Sequence, residues 1–128
     1  MTYRTGYSRV AGLGSAREGV RHWWLQRLTS VALIPLSIPF VLIFGASLGQ
    51  GRDIAIQAFG HPLAAVATIL FLVAGFHHLQ QGLQVVIEDY VLARRTATIL
   101  HIINLMLCWA FAIVGIFAVA RISFGLAG

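Results

Sequence analysis

Three stretches of the chain are apolar for long enough to cross a bilayer, and each is closed by breaking or charged residues. Leu28 to Leu48 carries no charged side chain, and about twenty such residues suffice to cross roughly 30 Å of hydrocarbon as a helix. A second run opens on Pro62, a residue suited to a first helical turn, and reaches about residue 88. A third extends from 97 to 121, where Arg121 marks its exit. The pattern predicts three transmembrane helices, at about 28–48, 62–88 and 97–121. Pro35 and Pro39 each remove a backbone donor from the first and predict a kink there.

The connecting segments read differently. Residues 1–27 form a basic, glycine-containing segment, expected to be a flexible tail followed by an interfacial helix from about Ser15. Trp23 and Trp24 suit the headgroup level, where amphipathic rings concentrate. Gly49 to His61 reads as a loop, with a short interfacial helix through Ile54 to Phe59 and His61 as a solvated residue. Glu88 to Thr96 reads as a short polar turn.

Composition agrees with a membrane protein. The 128 residues are 59% hydrophobic and 10% charged, where soluble domains carry roughly a quarter charged residues. All nine basic residues are arginines, and seven lie in the N-terminal segment or the second connection. By the positive-inside rule that places the N-terminus and the second connection in the cytoplasm and the C-terminus in the periplasm. The net charge of +5 therefore reports orientation; no basic face on a soluble fold points to nucleic acid. Cys108 stands alone within an apolar run, which excludes an intrachain disulfide and suits a small packing residue. There is neither a dinucleotide fingerprint nor a cysteine cluster for iron–sulfur ligation.

Candidate chemistry is concentrated at the end of the second run, GFHHLQQGLQVVIEDY from Gly75 to Tyr90. Polar groups inside a membrane are costly and mark function. At about 100° per residue, His78, Gly82 and Asp89 fall on one stripe and His77, Gln81, Gln84 and Glu88 on another. Gly82 removes a side chain where a flat porphyrin or a close helix must approach. His78 suits an axial haem ligand and equally a histidine hydrogen-bonded between helices; on chemistry alone His77 competes with it. Tyr90 offers a phenol at the membrane face, as a quinone donor or as an aromatic-belt residue. In the third run Asn104, one turn from His101, is expected to hydrogen-bond another helix.

The string His78-x3-Gly82-x6-Asp89-Tyr90, with Val85 and Val86 inside it, resembles the second transmembrane helix of the small hydrophobic membrane anchor of succinate dehydrogenase. Gly19-x-Arg21-His22-Trp23-Trp24-x-Gln26-Arg27-x-Thr29 is similar to the N-terminal segment of the same anchor. The resemblance covers most of the chain from Gly14 onward. It implies that His78 is an axial ligand of a b-type haem shared with a second membrane anchor, itself similar to a b-type cytochrome. It implies haem-propionate contacts for Arg27 and, more loosely, for Arg21 and His22. Tyr90 would contact ubiquinone, with Asp89 orienting that site or relaying protons. The implied partners are that second anchor, an iron–sulfur subunit and a flavoprotein subunit, which would carry succinate oxidation.

The expected fold is thus an all-α integral membrane protein with three transmembrane helices. The expected role is the anchor and quinone-reducing end of succinate dehydrogenase, in the respiratory chain and the tricarboxylic acid cycle. The rival class is a small oligomeric proton-coupled transporter using Glu88, Asp89 and the His77 stripe; a structural anchor without haem is a third reading. A reducible b-type absorption in the purified complex separates the first reading from both.

Overall fold

A computed structural model of the protein describes residues 16–126, with side chains from Gly19 onward. The expected N-terminal tail, including Ser15 and the side chains of Arg4, Arg9 and Arg17, lies outside the described residues. Among the described residues there are four helices: α1 (Ala16–Ser47), α2 (Arg52–Gly60), α3 (Pro62–Tyr90) and α4 (Arg94–Ser123). Three are long and apolar enough to cross a membrane, over Gly19–Ser47, Pro62–Tyr90 and Arg94–Ser123.

α1 runs without a break through the boundary expected near Arg27. No residue between Arg21 and Leu28 stops a helix, so the headgroup-level patch and the span form one rod. It also continues through Pro35 and Pro39. Thr29 and Ser30 turn their hydroxyls back onto this helix, Thr29 Oγ1 onto the Leu25 carbonyl at 2.8 Å and Ser30 Oγ onto that of Gln26 at 2.8 Å. Such back-bonding removes a hydroxyl's need for a partner inside lipid.

Gly49 and Gly51 take φ of 74° and 88°, the left-handed region that glycine enters without penalty, and they turn the chain into α2. The short helix expected in this loop is thus present and slightly longer at both ends. At the other end of the bundle the connection between α3 and α4 is only Val91–Ala93. Glu88, Asp89 and Tyr90 are still helical, and Arg94 and Arg95 already begin α4.

α3 is the central helix. It packs on α1 along one side and on α4 along the other, while the backbones of α1 and α4 do not meet. Both neighbours are antiparallel to it: Leu33, Thr29 and Gln26 of α1 face Gly75, His78 and Gly82, and Gly115 and Asn104 of α4 face Leu72 and Gln80. Phe40 of α1 stacks on Phe71, ring centres 4.1 Å apart. The enclosed residues are small or polar, namely Ala65, Thr68, Gln81, Asn104, Cys108, Ala112 and Val119. Small interfacial residues are what close helix packing in lipid requires. Large apolar side chains such as Ile34, Leu63 and Val114 face outward, where lipid or another transmembrane chain covers them.

Candidate functional site

The two polar stripes of α3 meet different neighbours. The His78 stripe is turned toward α1. Across that seam Thr29 Oγ1 lies 3.1 Å from His78 Nδ1. One turn on, a Cβ built on Gly82 would meet Gln26 Nε2 at 3.9 Å. The end of the Gln26 side chain thus lies over the gap that Gly82 leaves. His22, Gln26 and Thr29 recur at i, i+4 and i+7 of α1 and so share the face that meets α3. His22 Nε2 and Gln26 Oε1 are buried there without a hydrogen-bond partner.

The His77 stripe faces α4 and an open groove. The His77 ring tilts against Trp109, centres 6.2 Å apart. Leu28, Thr29 and Leu36 of α1, Leu70 and His77 of α3, and Trp109 of α4 line that groove, whose volume is about 570 Å³. Further along, Gln80 Nε2 donates to Gln84 Oε1 at 3.4 Å and Gln84 Nε2 donates to Glu88 Oε1 at 2.9 Å. The same Glu88 oxygen lies 4.0 Å from His101 Nε2 of α4. Gln81 is buried, its Oε1 unpartnered.

Asn104 makes the inter-helix bond expected of it, Nδ2 donating to the Gln80 carbonyl at 2.9 Å, and Cys108 packs beneath it with Sγ 3.4 Å from Asn104 Oδ1. Cys108 is the buried packing residue its surroundings imply.

The remaining site residues lie at the end of the bundle where α1 begins and α3 ends. Tyr90 is the last residue of α3 and is 81% exposed; Asp89 beside it is also exposed. Arg21 and Arg27 are exposed, and the Arg27 guanidinium sits over the Trp23 ring, 4.9 Å from its centre. Arg27 precedes Thr29 by two residues, about 200° round α1, so it lies on the face away from His78. The bundle thus brings His22 to the His78 seam, keeps Arg27 on the other side of α1, and leaves Tyr90 and Asp89 at the rim. The sequence pattern assigns Thr29 no role of its own. Its pairing with His78 joins positions 49 apart in sequence, which no local spacing reveals.

The family profile described as succinate dehydrogenase/fumarate reductase transmembrane subunit matches residues 1–117. The chain belongs to that family. It is 32% identical over 127 residues to the succinate dehydrogenase hydrophobic membrane anchor subunit of Paracoccus denitrificans, covering 98% of this chain and 96% of that one. A protein of the same description from Rickettsia bellii is 31% identical over 93 residues, 71% of this chain and 74% of its own. The succinate dehydrogenase membrane anchor subunit of Reclinomonas americana is 28% identical over 83 residues, 62% and 69% of the two chains. No solved structure matches significantly. Family and fold together make the chain a multi-pass membrane anchor subunit of the bacterial inner membrane.

Proposed function

We propose that this anchor supports one b-type haem, shared with a second membrane anchor, and a ubiquinone-reducing site at its Tyr90 end. The observation that carries the reading is the engaged Nδ1 of His78. An imidazole bound through Nδ1 and held at a fixed rotation presents Nε2 as its ligating atom, the arrangement usual for metal-bound histidine. Buried His22 Nε2, without a partner, is a second polar atom available to a group entering the same seam. These residues fit a haem. Arg21, exposed within three turns of Thr29, supplies a cation for its propionates from the end of α1; Arg27, over Trp23 on the opposite face of α1, would have to leave that ring and reach round the helix to join it. When bound, a haem supplies reversible one-electron storage.

The residues of the chain have distinct tasks in this scheme. His78 would supply this chain's ligating nitrogen, with the second anchor contributing to the same haem. Tyr90 donates its phenol hydrogen to a quinone carbonyl, and exposed Asp89 orients or exchanges protons beside it. An exposed tyrosine at a helix end is free to be covered by a partner, here the iron–sulfur protein that delivers electrons. Succinate oxidation belongs to the flavoprotein. The arginine distribution, seven against two, supports a cytoplasmic N-terminus and Val91–Ala93 connection and a periplasmic C-terminus.

Purification of the intact complex tests the whole reading. It should contain a reducible b-type chromophore and three further chains, and it should reduce ubiquinone with succinate. A colourless, haem-free complex that still reduces quinone would leave only the structural-anchor reading.

A further inference from the structure

We propose that Thr29 is a positioning residue that sets the tautomer and ring rotation of His78, so that Nε2 is the nitrogen available to a metal. This rests on the reading of His78 as a haem ligand.

A threonine hydroxyl has one hydrogen and two acceptor lone pairs. Thr29 Oγ1 lies 2.8 Å from the Leu25 carbonyl and 3.0 Å from that of Gln26. Both are acceptors only, and we assign the hydroxyl's single hydrogen to the nearer, the Leu25 carbonyl; in that arrangement the 3.1 Å contact to His78 Nδ1 is made by a lone pair of the hydroxyl, and Nδ1 carries the hydrogen. In a neutral imidazole one nitrogen donates and the other accepts, so Nε2 holds the lone pair. In that arrangement the back-bond within α1 selects the tautomer of a ring on α3.

The seam is packed on both sides of the ring: a Cβ added to Gly75 or Gly82, which bracket His78 on the same face, would meet Leu33 or Gln26 of α1 at ordinary van der Waals distance. A second effect follows from the same bond. Donation from Nδ1–H makes the imidazole a more electron-rich ligand, which favours the oxidised iron and lowers the reduction potential.

The test compares Thr29→Val, Thr29→Ala and Thr29→Ser with His78→Ala in the assembled complex, at equal amounts of this chain. Thr29→Val keeps the shape but removes the acceptor; Thr29→Ser keeps the acceptor. Haem content after detergent purification, the reduced-minus-oxidised spectrum and the midpoint potential are measured. Val and Ala should each reduce haem retention on the order of tenfold, as loss of a ligand's outer hydrogen bond generally does, and the haem that remains should titrate at a higher potential. Ser should restore content and potential to those of the unaltered complex. If His78→Ala loses the haem while Val and Ala match the unaltered complex in content and potential, Thr29 does not position the ligand and the haem reading stands. If His78→Ala keeps an unaltered spectrum, the haem reading itself fails. Should Val fail to assemble, the comparison of Ala with Ser decides the matter by the same criteria.

Discussion

Gly82 of α3 and Gln26 of α1 face each other so closely that a methyl group on the glycine would just touch Gln26 Nε2, at 3.9 Å. That distance is ordinary contact with the end of a flexible side chain.

Gly82→Ala should therefore be tolerated, with unchanged assembly and haem spectrum. Gly82→Leu should force Gln26 and α1 outward, at an overpacking cost of about 1–3 kcal/mol, and weaken the neighbouring Thr29–His78 bond. Haem content and melting temperature of the purified complex check both arms. An Ala variant that bleaches the haem without loss of assembly would show a porphyrin, rather than a helix, over Gly82.

Asn104→Ala removes the bond to the Gln80 carbonyl and the partner of Cys108. Inter-helix hydrogen bonds in membranes contribute about 0.6 kcal/mol on average and up to about 1.7 kcal/mol. The variant should melt a few degrees lower and keep its haem spectrum, because Asn104 meets the side of α3 away from His78. A shift in the haem band with unchanged melting would contradict that separation.

The three spans and the two stripes of α3 are legible in the sequence, because each depends on a short-range pattern. A charge-free run of twenty residues reports a membrane helix, and a 100° step sorts His78 from His77. What the pattern does not carry is the neighbour of each stripe. That Thr29 meets His78, that Gln26 covers Gly82 and that Glu88 nears His101 depends on how α1 and α4 dock. The continuity of α1 is hidden for a different reason: a headgroup-level segment and a span have the same backbone geometry, and only a breaker between them marks a joint. The shortness of the α3–α4 turn is hidden because Glu88, Asp89, Arg94 and Arg95 are polar, and polarity reads as loop even where the backbone is helical.

Tyr90→Phe keeps the ring of a residue that is 81% exposed and removes only its hydroxyl. A belt residue would lose nothing, since the amphipathic body remains. As a quinone donor it should lose about 1–3 kcal/mol, on the order of tenfold or more in succinate–ubiquinone turnover. Succinate oxidation with a soluble dye that accepts electrons upstream should stay unchanged. Equal quinone reduction by the Phe variant at all quinone concentrations would remove Tyr90 from the site.

Orientation has its own test. A reporter fused after Gly128 should be active only in its extracytoplasmic form. A cytoplasmically active fusion would place Tyr90 on the wrong side for electrons arriving from cytoplasmic partners.

In the proposed scheme His78, on the α1 face, ligates the haem, and His77, in the groove beside Trp109, does not. Reduced-minus-oxidised spectra of the His78→Ala and His77→Ala complexes test it most directly. The account predicts loss or a marked shift of the b-type band in the His78 variant and an intact band in the His77 variant; an intact band without His78 and a bleached one without His77 would contradict it.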